Sequence, residues 1–131
     1  VIVLGGLSPD GYPPLDFLRE IYRLGAKDCF DVIAFHPYGR ENDFARLAAA
    51  IREIAESFGD KQKPIWFNEF GTADNRQRVT ILQESLQNKE SVDGFFWFSL
   101  KDFGAGNNYG LIRSNGKKKP AFYVFKSFIE K

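Results

Sequence analysis

Four short apolar runs, each followed by a segment whose apolar residues recur at helical spacing, constrain this chain more than any other feature. The runs are Val1-Ile2-Val3-Leu4 (ending in Gly5-Gly6), Phe30 to Phe35 (ending in His36-Pro37-Tyr38-Gly39), Pro64 to Phe70, and Val92 to Leu100. Unbroken apolar runs of this length suit strands covered on both faces, as in parallel sheets. Leu15, Leu18, Ile21 and Tyr22 form the first helical stripe, with Gly25 as its stop. Phe44, Leu47, Ile51, Ile54, Ala55 and Phe58 form the clearest one, opened by Asp43 or Asn42 and closed by Gly59. Val79, Leu82 and Leu86 follow Asp74 or Asn75, and Ala121, Phe125, Phe128 and Ile129 follow Pro120. Four consecutive strand–helix units predict an α/β fold with a parallel sheet and right-handed crossovers.

Two architectures of that class compete: an open doubly wound sheet and part of an eight-stranded barrel. The first should carry a glycine-rich phosphate loop after its first strand. Gly5-Gly6-Leu7-Ser8-Pro9-Asp10-Gly11 has neither of the usual spacings. Polar residues instead gather at the C-terminal ends of the second, third and fourth strands, where barrels place their active sites. The 131 residues read as one domain, 1–131. A full barrel takes about 250 residues, so four units make half of one.

Composition narrows the partners. Eighteen basic and 17 acidic residues leave a net charge of +1, which argues against nucleic acid or an acidic membrane surface. Lys117-Lys118-Lys119, the one dense basic run, reads as a solvated turn beside Asn115-Gly116. Cys29 is the single cysteine and His36 the single histidine, so neither a disulfide nor a metal site of ordinary ligand spacing is expected. A free cysteine fits cytoplasm or secretion, and no run is long enough to span a bilayer. A chain that begins at Val1 and lacks Met reads as a processed chain or a fragment.

Side chains alternate across a strand, so His36 and Tyr38 point one way, Glu69 shares a face with Phe67 and Ile65, and Trp97 shares one with Phe95. If those faces line a barrel interior, His36, Tyr38, Glu69 and Trp97 converge at one mouth. Such a set suits glycoside cleavage with retention: a carboxylate nucleophile, a phenol whose hydrogen bond favours the charged carboxylate, and an indole to stack on a sugar ring. Each also has a plainer reading, Glu69 as a salt-bridge partner and the aromatics as core.

The motifs resemble those of clan A glycoside hydrolases, similar to families five and thirty-nine (cellulase-like and β-xylosidase-like). Phe30-Asp31-Val32-Ile33-Ala34-Phe35-His36-Pro37-Tyr38-Gly39 resembles barrel strand six, Pro64-Ile65-Trp66-Phe67-Asn68-Glu69-Phe70-Gly71 strand seven, and Gly94-Phe95-Phe96-Trp97-Phe98-Ser99 strand eight. Val1 to Gly6 would be strand five, and Asn108-Tyr109-Gly110-Leu111 the closing loop. The resemblance implies the C-terminal half of a barrel acting on carbohydrate without a cofactor. Glu69 would be its nucleophile and Tyr38 the hydrogen-bond donor to it, with His36, Asn68, Trp97, Asp102 and Asn108 contacting substrate. The family's acid/base Glu belongs to strand four, which has no counterpart here.

Four parallel strands cannot close, and bare edges invite association. The expected partner is therefore the missing N-terminal half-barrel or a second copy of the chain. In a self-paired barrel two Glu69 side chains would face each other, a geometry unlike the native pair, and weak or no hydrolysis is expected. The alternative to an enzyme is a non-catalytic half-barrel: a folding or design fragment, or a carbohydrate-binding remnant.

Overall fold

The computed structural model describes residues 1–40, 43–104 and 106–130. Among these residues the sheet has three parallel strands in the order β1 (Ile33–Phe35), β2 (Ile65–Phe70) and β3 (Gly94–Trp97). Helix α1 (Pro14–Arg23) precedes β1, α2 (Phe44–Ser57) connects β1 to β2, α3 (Arg78–Gln87) connects β2 to β3, and α4 (Pro120–Ile129) closes the chain. The expected first strand is not part of the ladder. Its residues run parallel to β1 through two isolated bridges, Val3 with Val32 and Leu7 with Phe35. From Val3 to Leu7 the chain advances four positions while β1 advances three. The surplus residue falls at Gly5-Gly6 and interrupts the pairing.

Register fixes the two faces of the sheet. Ile33 pairs with Ile65, and Phe35 with Phe67, which in turn pairs with Phe95. All five lie in or pack on one core with Leu18, Phe44, Leu47 and Ile51 from the helices. The other face carries Ala34, Trp66 and Gly94 in register, with the rings of Trp66 and Phe96 5.3 Å apart. Phe96 is 45 % exposed. Phe67 and Phe95 therefore belong to the helix-covered layer and not, as strict alternation with Glu69 suggests, to the inner face. The face open to water is that of Trp66 and Phe96.

The helices form largely for the reasons their sequences give. Pro14 sits in the first turn of α1, where its missing N–H costs nothing. Gly25, at φ 84°, ends that segment in the left-handed region. Asp43 occupies the N-cap of α2, but its carboxylate accepts from Arg40 at 2.9 Å and makes no capping bond; the alternative cap, Asn42, lies outside the described residues. Asp74 caps the turn before α3 and not the helix itself: its Oδ1 accepts the Arg76 N–H at 2.8 Å and its carbonyl the Arg78 N–H at 3.1 Å.

At the end of the sheet remote from the strand C-termini, Asp60 is a charged knot. Its carboxylate meets Lys63 Nζ at 2.7 Å and Lys27 Nζ at 3.6 Å, and Lys63 and Lys27 also donate to the carbonyls of Lys27, Phe58 and Gly59. Burial pushes the Asp60 carboxyl up, and hydrogen bonding from Lys63 and Tyr22 with the charges of Lys63 and Lys27 together more than reverse this, leaving it below its ordinary 3.8. A carboxylate lowered in the folded state stabilises fully above its ordinary value. That contribution is lost as pH falls through the lower, folded one. Asp60→Asn should therefore lower the melting temperature at neutral pH and flatten its decline between about pH 5 and about pH 2. Ile51→Ala, at a fully buried position of α2, should cost about 2–5 kcal/mol in urea unfolding.

Candidate active site

The site forms where β1 and β2 end. His36 directly follows β1, and its backbone N–H donates to the Leu7 carbonyl at 2.9 Å, tying the β1 exit to the first segment. Glu69 reaches it through an irregularity in β2. Phe67 pairs with Phe95 and Phe70 with Trp97, so three steps along β2 match two along β3. An inserted residue of this kind bends a strand and re-aims side chains. Phe70 thereby stays in the core at 1 % exposure, while Glu69 leaves the face of Phe67 and Ile65 and turns toward His36 and Tyr38.

There Tyr38 Oη donates to Glu69 Oε1 at 3.0 Å. His36 Nε2 lies 3.8 Å from Glu69 Oε2, a charge contact when the imidazole is protonated and too long for a direct hydrogen bond. Glu69 keeps a third of its side-chain surface exposed. The His36 and Tyr38 rings stand edge-on at 6.5 Å. The bare backbone of Gly6 leaves room for the His36 ring and the Asn68 amide. A Cβ on Gly6 would lie 1.9 Å from His36 Nε2 and 2.8 Å from Asn68 Oδ1, and the Asn68 oxygen is itself buried without a hydrogen-bond partner among the described residues. On the α1 side of His36 and Tyr38 a cleft of about 600 Å³ opens, lined also by Pro9, Pro14, Arg19 and Arg40. Arg19 and Arg40 are engaged by Asp16 and Asp43.

Trp97 stands at the end of β3, edge-on to Phe70 at 5.3 Å, and packs against both hydrophobic clusters. Its Nε1–H donates to the Tyr109 carbonyl at 2.8 Å. The Tyr109 ring is the unanticipated member of the site, edge-on to Tyr38 at 6.3 Å and to Phe98 at 5.3 Å. Its sequence signal is the Asn108-Tyr109-Gly110-Leu111 motif itself.

Asp102 and Asn108, expected to contact substrate, also tie the closing loop to Lys119 and Arg78. Asp102 Oδ1 accepts Lys119 Nζ at 2.6 Å and the Gly110 N–H at 2.9 Å. The backbone carbonyl of Asn108 accepts Lys119 Nζ at 2.9 Å and also bonds Arg78. Lys119 is thus 3 % exposed, a correction to the solvated lysine run. Burial lowers its ammonium from the ordinary value, against the opposing pull of Asp102. Burial likewise lowers Arg78, which is 2 % exposed. Among the described residues no three His, Cys, Asp or Glu side chains converge as a metal site would need.

A family model described as the glycosyl hydrolase catalytic core matches residues 12–125. The chain belongs to this family. No curated protein sequence matches it. Among solved structures, the chain is similar to the GH39 enzyme from Xanthomonas axonopodis pv. citri at 14% identity and a TM-score of 0.75, covering 98% of this chain and 32% of that one. A GH39 β-xylosidase from Caulobacter crescentus gives 18% identity, a TM-score of 0.73 and coverage of 98% and 32%. A GH5_18 protein from Bifidobacterium longum subsp. infantis gives 17% identity, a TM-score of 0.59 and coverage of 87% and 28%. At such identities the likeness is one of fold. The chain spans about a third of the length of these structures.

If Gly6 is the cradle of the site, Gly6→Ala should displace the ends of His36 and Asn68. Both are side chains that can swing away, so the variant should keep its helical circular dichroism. It should lose stability by about 1–3 kcal/mol in urea unfolding.

Proposed function

We propose that the chain is the nucleophile-bearing half of a retaining β-glycoside hydrolase, acting on O-glycosidic bonds of an oligo- or polysaccharide. The observation that carries this reading is the Tyr38–Glu69 hydrogen bond at 3.0 Å, at the C-terminal ends of parallel strands, in a chain of the glycosyl hydrolase catalytic core family. An oriented, partly exposed carboxylate in that place fits attack on an anomeric carbon. In the first step a Glu69 oxygen bonds to the anomeric carbon as the bond to the leaving oxygen breaks, and that oxygen takes a proton from an acid. In the second, water, deprotonated by the same group, displaces Glu69 and releases the sugar with its configuration retained. The acid/base belongs to the other half of the barrel. Tyr38 orients the nucleophile, His36 and Asn68 shape the subsite, and Trp97 with Tyr109 forms its aromatic wall.

The other half is proposed as the partner because the inner face is uncovered, with Phe96 45 % exposed and Val1 and Ile2 98 % and 61 % exposed along the outer segment. Closing eight strands, by that half or by a second copy, would cover both. Light scattering on the eluting protein should give a mass above that of one 15.0 kDa chain; a compact monomer counts against it.

The chemistry is tested by trapping. An activated 2-deoxy-2-fluoro glycoside, incubated with the completed barrel, should leave one glycosyl unit covalently bound to the peptide holding Glu69, read by mass spectrometry. Glu69→Gln should abolish both the label and turnover of an aryl glycoside, a loss of at least about 10³-fold. Labelling elsewhere, or full turnover by Glu69→Gln, would overturn the assignment.

A further inference from the structure

The Glu69–Tyr38 pair does not use the two most deeply buried cations among the described residues, Arg78 and Lys119, 2 % and 3 % exposed. Burying a cation is unfavourable unless it is well paired, yet only one carboxylate, Asp102, is ion-paired with either of them among the described residues. Their remaining hydrogen bonds go to oxygens without net charge. Arg78, the first residue of α3, bonds the carbonyls of Thr72, Ala73 and Asn108 and the Asn75 side-chain oxygen. Lys119, immediately before α4, bonds the Asn108 carbonyl at 2.9 Å. Two cations, one opening α3 and one immediately before α4, thus converge on one backbone oxygen.

The next residue along the chain from that oxygen is Tyr109, which forms a wall of the site. Its ring stands against Tyr38 and its carbonyl accepts Trp97 Nε1–H at 2.8 Å. Gly110 then passes so close to the chain at Asp102 that a Cβ there would lie 2.3 Å from the Asp102 nitrogen. The segment is gripped before and after Tyr109.

We propose that Arg78 and Lys119 are positioning residues: by gripping the Asn108 carbonyl from two sides they hold Tyr109 against Tyr38 and Trp97, and so fix the aromatic wall beside Glu69. The functional part of this inference rests on Glu69 being the nucleophile; the structural part rests on the contacts alone. A cation here acts on the loop without touching a substrate. Its loss should therefore reach the site through Tyr109, lowering kcat more than it raises KM.

The test compares Arg78→Met with a double variant, Lys119→Met with Asp102→Asn. The double change avoids leaving the Asp102 carboxylate buried without its cation. The first readout is the Trp97 indole N–H in nitrogen-15 spectra, assigned with Trp66→Phe. In both variants that resonance should move upfield and lose its protection from solvent exchange. The second is turnover in the completed barrel, where kcat should fall about 10- to 100-fold with KM within about twofold. Arg78→Lys, which keeps a cation beside the carbonyl, should lose less than Arg78→Met. Ile51→Val, which loosens the core elsewhere, should move neither readout. An unchanged indole in a folded variant, or an equal change in Ile51→Val, overturns the proposal. If Arg78→Met or the double variant does not fold, Arg78→Lys decides by the same indole signal. Should the indole respond as expected while Glu69→Gln leaves turnover intact, the nucleophile assignment fails and the grip stands. The reverse pattern removes the grip alone.

Discussion

The geometry of the site depends on one inserted residue in β2. Between Phe67 and Phe70 the strand carries three steps where β3 carries two, and that mismatch lets two neighbours satisfy opposite demands. Phe70 packs against Phe44, Phe95 and Trp97, while Glu69 reaches Tyr38. In a regular strand Glu69 would share the face of Ile65 and Phe67, which are 0 % exposed. A carboxylate there would be desolvated with no partner, at a cost of several kcal/mol. The bulge is therefore what makes a charged side chain compatible with so apolar a strand.

The first segment shows the same device one step earlier along the sheet, ending at the level of Phe35 and Phe67 where the β2 irregularity begins. It too advances one residue more than β1, between Val3 and Leu7, and the surplus brings the bare backbone of Gly6 against His36 and Asn68. Two irregularities on either side of β1 leave room for the His36 and Tyr38 side chains to meet Glu69. Regular pairing is sacrificed where the polar groups must converge. Between β1 and β2 it is kept up to that level, where Ile33 pairs with Ile65, Ala34 with Trp66 and Phe35 with Phe67.

These irregularities separate the parts of the molecule that are legible in the sequence from those that are not. Helical stripes such as that of Phe44, Leu47, Ile51 and Ile54 announce their buried face, because every member of the stripe answers to one core. The strand runs are equally plain as elements. Their register is not, since an apolar run carries no mark of where an extra residue enters, and a one-residue slip exchanges the faces. Glu69 thus stands out as a candidate, while simple alternation assigns its neighbours on the strand to the wrong layer. Lys119 escapes a local reading for a different reason. Lys117 and Lys118 are exposed and Lys119 is not, and the difference comes from Asp102, 17 positions away in the chain, which local composition does not register.

Trp97 joins the two hydrophobic layers. It packs against the core built on α2 and β2 and also against the smaller cluster of Leu82, Leu111 and Ala121, built on α3, α4 and the closing loop. Its indole hydrogen bond to Tyr109 extends that second cluster to the edge of the site. The α3–α4 layer, which contributes no side chain to Glu69 itself, therefore sets where one wall of the site stands. A change in its packing would be transmitted to the wall through one indole and one carbonyl, and the Glu69 carboxylate, held by Tyr38 from beyond the end of β1, would stay in place. Orientation of the Glu69 carboxylate and placement of the Tyr109 ring against Tyr38 are in this sense carried by different layers of the same fold.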